Sequence, residues 1–192
     1  MMTNNILRCL FLCLSVTLLS ACQVVDDTRI KKIKETSTTK NNALIYCSGT
    51  MNCEFERFND LQIVDRNTRK LDQRAIKQGI VRLNAKSLND PKALYLSVPP
   101  GLHEVVVRFY PVSEKKAESL HVIHMFESEK KYTFVMFRDR SIGKKSLLSA
   151  SAPEPLCVDL FQDQKLIRRF CKPYNVLNGL GEFIEHKNLK SR

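Results

Sequence analysis

Apolar positions in this chain fall into short runs set between turn-forming residues. From residue 43 onward most of them alternate with polar neighbours, the period of a β-strand. Ala43 to Tyr46 predicts a strand, and Glu54 to Val64 predicts another. Phe55, Phe58, Leu61 and Ile63 break strict alternation in that second run, the mark of a bulge. Arg66 to Gln78 is charged, with Leu71, Ala75 and Ile76 at helical spacing, and predicts a short helix or a long loop before the apolar run Ile80 to Leu83. Asn89-Asp90-Pro91 marks a turn. Ala93 to Val98, Pro99-Pro100-Gly101 and Leu102 to Tyr110 read as strand, turn and strand, with Pro100 and Gly101 suited to the central positions of a type II turn. Leu120 to Phe126 and Tyr132 to Arg138 predict a further hairpin across the charged residues Glu127 to Lys131. Ser141 to Pro155 reads as a long loop. The tail beyond Pro173, with Leu177, Leu180, Phe183 and Ile184, suggests an amphipathic turn or two that Gly179 and Gly181 weaken. Together these segments predict a mainly β fold, an antiparallel β-sandwich of about seven or eight strands, with no long helix between them.

The first residues follow a different pattern. Cys9 to Leu19 is apolar but interrupted by Ser15 and Thr17, short for a membrane span and suited to the core of a signal peptide, with Arg8 and the terminal amine at its positive end. It closes on Leu19-Ser20-Ala21-Cys22. That run resembles the lipobox of bacterial lipoprotein precursors. The resemblance implies that residues 1–21 are a cleaved leader and that the Cys22 thiol carries diacylglycerol on an acylated new N-terminus. An uncleaved anchor, or a secreted chain with a free Cys22 thiol, is the alternative. In the lipoproteins it resembles, Asp after the lipidated cysteine retains the protein at the inner membrane. Gln23 at that position therefore implies the outer membrane. Several acyl chains exceed the two signals that stable anchoring requires. Residues 22–42 are polar and lysine-rich and read as a flexible tether, with Lys31, Lys32 and Lys34 placed to meet an anionic leaflet. Residues 43–192 form the single folded domain.

Removal of the leader makes the cysteines orderly. Cys9 and Cys13 leave with it, Cys22 carries lipid, and Cys47, Cys53, Cys157 and Cys171 remain for an oxidising compartment. Four cysteines allow three connectivities. Cys47 and Cys53 flank the turn-rich Ser48 to Asn52, which favours a local bridge. Leu156 to Phe161 and Leu166 to Cys171 fold back around Asp163-Gln164-Lys165 in a register that opposes Cys157 to Cys171, Asp159 to Arg169, Phe161 to Ile167 and Val158 to Phe170. A four-cysteine metal site is the competing reading, but no Cys-x-x-Cys spacing supports it. No metal or other cofactor is expected.

The formal charge of +11 loses only Arg8 with the leader, so the mature chain stays basic. In an exported protein the acidic partners are lipid headgroups, cell-wall carboxylates or protein surfaces, and nucleic acid is excluded by the export signal. Otherwise the excess lysine simply keeps the domain soluble. The four histidines, His103, His121, His124 and His186, fit ordinary packing; His121 and His124 lie three apart on a strand and so on opposite faces. No nucleophile elbow, phosphate loop or zinc-protease spacing occurs, and no enzymatic activity is expected. Arg108-Phe109-Tyr110 and Phe134 to Arg140 interleave aromatic and basic residues. They read either as a ligand face for glycan or anionic polymer, or as core residues alternating with exposed ones. Trp is absent, so any stacking platform must come from Tyr or Phe.

Val98-Pro99-Pro100-Gly101-Leu102 to Val107 resembles the strand-turn-strand core of PEGA-like small β-sandwich domains of bacterial envelope proteins. That resemblance covers some ten to fifteen residues and implies a surface or binding module without catalysis. The expected function is therefore a lipid-anchored, periplasm-facing interaction module for another envelope component, with an envelope protein as partner. A small secretion-system lipoprotein that holds a membrane-spanning partner is one version. The alternative is a module that binds an anionic polymer such as peptidoglycan or lipopolysaccharide.

Overall fold

The computed structural model describes residues 26–140, 154–172, 181–187 and 189. The leader, Cys22, most of the expected loop from Ser141 and the tail residues 173–180 lie outside the described residues. The described chain opens in a helix over residues 26–31, here α1. The strands are β1 Ala43–Ser48, β2 Asn52–Phe58, β3 Leu61–Gln62, β4 Val81–Leu83, β5 Leu94–Val98, β6 Gly101–Ser113, β7 Lys116–Phe126, β8 Lys131–Arg138, β9 Leu156–Gln162, β10 Lys165–Lys172 and β11 Ile184–His186. A second helix, α2 Gln73–Lys77, precedes β4. The Asp72 side chain caps α2 by accepting from the Arg74 amide, and Ala75 and Ile76 face inward, as their spacing predicts.

The protein is mainly β, in two sheets. One has seven strands in the order β11-β10-β9-β8-β1-β5-β4, and the other has four in the order β3-β2-β6-β7. Among the described residues eleven strands replace the expected seven or eight, because β3, β4 and β11 are too short for periodicity to reveal. The larger sheet is also not purely antiparallel. β1 pairs antiparallel with β5 but parallel with β8, from Leu44 opposite Lys131 to Ser48 opposite Val135.

Neither predicted long hairpin forms. β5 belongs to the seven-stranded sheet and β6 to the four-stranded one, so Pro99-Pro100-Gly101 is a corner between sheets. Two consecutive prolines supply no amide protons to start a ladder, and Gly101 adopts φ +145° to turn the chain away. Residues 127–130 likewise carry the chain from β7 to β8 across the sheets. Phe126 and Tyr132 meet edge to face with ring centres 4.8 Å apart, and the Tyr132 hydroxyl accepts from the Glu127 amide at 2.9 Å. Local alternation is the same for a hairpin and for a corner. The choice falls to the edges left open for pairing.

The inward residues of both sheets form one buried cluster. Ile45, Leu96, Phe134 and Leu160 come from the larger sheet, and Phe55, Val107, Phe109 and Leu120 from the smaller. Ile30 of α1 joins that cluster at 2% exposure. The expected tether is thus docked over its described part. Gln73 Nε2 donates to Asp26 Oδ1 at 2.8 Å, and the Leu88 amide donates to Asp27 Oδ1 at 3.0 Å. Ile30 and Ile33, three apart among lysines, supply enough apolar surface to offset the ordering cost that a wholly polar tether could not meet. In the tail, Ile184–His186 form β11 against β10, while Leu177 and Leu180 of the expected helical turn lie outside the described residues.

Candidate functional site

Both expected disulfides are present, Cys47–Cys53 and Cys157–Cys171, with Cα atoms 6.1 and 4.0 Å apart. The first joins β1 to β2 and so staples one sheet to the other. Gly49 within its loop has φ +94°, and a Cβ there would lie 2.0 Å from the Met136 carbonyl oxygen, so only glycine fits. The second bridges β9 and β10 in the register read from the sequence for Cys157, Val158 and Asp159. Phe161, however, opposes Leu166 and not Ile167. The turn is the two-residue Asp163-Gln164, both with positive φ, and a bulge between Leu166 and Arg168 restores the register. Asp159 and Arg169 form a two-pronged ion pair at 2.6 and 2.7 Å. This pair raises the Arg169 pKa above its ordinary value, chiefly through its bonds to Asp159.

The outer face of the four-stranded sheet has two halves. Residues 63–72 roof one half. Beneath them Arg108, 2% exposed, pairs with Glu54 at 2.7 Å and Glu56 at 3.5 Å and donates to the Val64 carbonyl at 3.2 Å. Arg69 pairs with Glu54 at 3.0 Å and lies over the Tyr110 ring, while the Tyr110 hydroxyl donates to Glu54. Burial, with help from Glu54, pushes the Tyr110 pKa up to about 12. The Asp65 carboxylate turns the roof by accepting from the amides of Asn67 and Thr68; the Thr68 bonds lead in lowering its pKa to about 2. This network ties the roof to the sheet.

The other half is open. Leu102 opposes Met125 and Glu104 opposes Ile123 on the outward side of β6 and β7. Leu102 is 63% exposed, Ile123 62% and Met125 56%. Their rim carries both charge signs, since Glu104 pairs with Arg57 at 2.7 Å and lies 3.5 Å from His121. β7 is also the edge strand of its sheet, and Arg168 of β10 donates to the Ile123 carbonyl at 2.7 Å.

The outer face of the seven-stranded sheet holds a groove of about 460 Å³, floored by Thr133 and Val135, walled by Phe161 and closed at one end by Lys131, Asp163 and Gln164. Tyr46, Thr133 and Phe161 stand in one cross-strand row. Tyr46 stacks on Tyr95, ring centres 4.8 Å apart and 12° from parallel. Lys131 Nζ rests 4.6 Å from the Tyr46 ring centre on the groove side. Burial leads in raising the Tyr46 pKa. Lys130 takes Asp163 as its partner at 2.8 Å, which lowers the Asp163 pKa, and the Lys131 amide donates to Asp163 at 2.9 Å.

The interleaved segments of the sequence do not make a ligand face. Arg108, Phe109 and Tyr110 are all buried, because the roof covers the outward side of β6 there, and core residues alternate with more exposed ones only in residues 134–138. His103 packs on Phe58, accepts from Asn59 Nδ2 at 3.1 Å and donates from Nε2 to the Pro99 carbonyl at 3.0 Å. His121 points outward on β7 while His124 points inward against Phe126 and Tyr132, as their spacing predicts. Among the described residues no three His, Cys, Asp or Glu side chains gather as metal ligands, and no helix is long and apolar enough to cross a membrane. Tyr46, Tyr95, Lys131 and Phe161 are far apart in sequence, and the β1–β5, β1–β8 and β8–β9 pairings together bring them to one face. No protein-family model, curated protein or solved structure matches the chain.

Proposed function

We propose that this chain is a lipid-anchored, non-enzymatic lipoprotein of the bacterial outer membrane, held through Cys22 after removal of residues 1–21. Its two sheets pack as a sandwich that docks an envelope protein. Support for export comes from the four remaining cysteines being joined as two disulfides, a state that persists in oxidising compartments.

The observation that carries the docking reading is the open half of the four-stranded sheet, where Leu102, Ile123 and Met125 are exposed together. Adjacent exposed apolar side chains within a polar rim are the anatomy of a protein interface. The mixed rim of Glu104, Arg57 and His121 suits a protein partner better than an anionic leaflet, which would favour cations alone. With α1 docked, residues 23–25 alone separate Cys22 from the folded chain, a reach of at most about 14 Å. The domain then rides close to its leaflet, and its partner must come to the membrane.

Fractionation beside Cys22→Ala tests the anchor, and a photocrosslinker placed at Ile123 or at Lys165 tests the face. Wild type in the outer membrane, release of Cys22→Ala, and one crosslinked protein at Ile123 but not Lys165 are expected. A wild type that fractionates as a soluble protein removes the anchor, and equal labelling at both positions removes the face. The groove on the other sheet favours a second reading, the binding of an anionic polymer.

A further inference from the structure

We propose that the groove beside β8 is a binding site for a carboxylate-bearing glycan, with Lys131 holding the carboxylate and Phe161 holding the apolar face of a sugar ring. The inference rests on the anionic-polymer reading above and gives it a location and a chemistry. Lys131 stands at the closed end of the groove. Among the described residues it makes no ion pair, whereas its neighbour Lys130 takes Asp163. An unpaired lysine is usually a mobile, solvated group, because ordering its stem costs rotamer entropy. Here the ammonium lies over the Tyr46 ring, and Tyr46 is itself backed by Tyr95. The cation is therefore positioned without being neutralised, and the cost of ordering it is met before a ligand arrives.

The rest of the groove completes a sugar-shaped set of contacts. Phe161 offers an apolar wall, and Thr133, Gln164 and Asp163 offer a hydroxyl, an amide and a carboxylate within the same space. Asp163 is held by Lys130 and by the Lys131 amide, so it accepts from sugar hydroxyls without repelling an anion as strongly as a bare carboxylate would. The tight Asp163-Gln164 turn fixes both side chains at the rim. A volume of about 460 Å³ lies within the usual range of small-ligand sites. A neutral glycan would leave Lys131 unused, and a bare polyanion would leave Phe161 unused. A sugar carrying a carboxylate uses both. Such sugars occur in peptidoglycan strands stripped of their stem peptides, where the lactyl carboxylate is free, and in the inner core of lipopolysaccharide, and the test separates the two.

The full-length chain in detergent is titrated with peptidoglycan glycan strands stripped of stem peptides, with the same strands after conversion of their carboxylates to amides, and with lipopolysaccharide. Retention on intact sacculi is measured in parallel. Binding to one carboxylate-bearing polymer is expected, weakened about tenfold by Lys131→Gln and by Phe161→Ala, and by a similar factor when the carboxylates are masked. Lys165→Gln, on a nearby exposed lysine outside the groove, should bind as wild type, and melting curves show that each variant is folded. Tyr46→Leu tests the positioning of the ammonium and should weaken charged strands more than masked ones. Binding to the stripped strands or to lipopolysaccharide that is indifferent to Lys131 and Phe161 overturns the groove while leaving polymer binding intact. Failure to bind any of the polymers at low salt overturns the anionic-polymer reading and the groove with it.

Discussion

Replacing Arg108 by Met should cost about 3 kcal/mol of stability. The guanidinium is 2% exposed and holds together the Glu54 and Glu56 side chains of β2 and the Val64 carbonyl of the roof. Breaking a buried ion pair by removing one partner costs about 3–5 kcal/mol, because the remaining charge stays buried. The lower end applies here. Glu54 retains Arg69 at 3.0 Å and Glu56 retains Arg66 at 3.2 Å, so neither carboxylate is left alone. Met fills much of the same space and creates little cavity, which isolates the electrostatic loss from a packing loss. The assay is urea denaturation of the disulfide-intact chain, with Arg108→Met compared with Glu54→Gln and the double variant. Thermal melting should fall by roughly 10 °C in the single Arg variant. The double variant should lose clearly less than the sum of the single losses, because the uncompensated charge leaves with its partner. A loss below about 1 kcal/mol in Arg108→Met, or strict additivity, would refute the account of a buried network that closes this half of the sheet.

His124 has its pKa lowered, first by burial and then by Arg168, so the unfolded chain binds its proton more readily. Its contribution is complete above the unfolded value of about 6.5 and is lost as pH falls through the folded value, a slope in denaturation midpoint that His124→Phe should flatten. Joint replacement of Cys157 and Cys171 by Ala should cost about 3 kcal/mol, and of Cys47 and Cys53 somewhat less, since their separations are 14 and 6 residues. Equal or reversed losses in denaturant would contradict this order. Ile30→Ser should undock α1 and speed tryptic cleavage at Lys31, Lys32 and Lys34 while the remaining domain melts cooperatively; unchanged cleavage would mean that Ile30 does not hold the segment. Gly49→Ala should destabilise by more than about 1 kcal/mol, because φ +94° and the Met136 carbonyl both exclude a side chain, and a neutral result in a melting experiment would refute that constraint.

The sequence made the β class legible because each strand keeps one face in the core, and two-residue alternation records this directly. It also made both disulfides legible, since each closes a short loop. Pairing was less accessible. Val98 to Leu102 and Phe126 to Tyr132 have the local pattern of hairpins, yet each passes from one sheet to the other. Whether neighbouring strands share an edge depends on distant competitors, here β1 inserted between β5 and β8. The same long-range pairing hid the groove, because Tyr46 and Lys131 become neighbours only through it. Arg108 was conspicuous as a charge between apolar residues, and its burial follows from the roof over residues 63–72, which no local periodicity encodes. The docking of α1 rested on Ile30 and Ile33 alone, too sparse a signal to stand out among lysines.

The place of β1 also governs the order in which this chain acquires its structure. The first strand of the chain sits in the interior of the larger sheet, and both neighbours are encoded much later, at Leu94–Val98 and Lys131–Arg138. Until those residues are in place, β1 has two bare edges and an apolar face with nothing to cover it, while the three-residue turn to β2 already brings Cys47 and Cys53 within bonding reach. Contacts of such wide sequence separation slow folding through the entropy of closing long loops. The N-terminal half should therefore settle late, with the Cys47–Cys53 bridge, once formed, limiting the conformations it explores before β5 and β8 are in place.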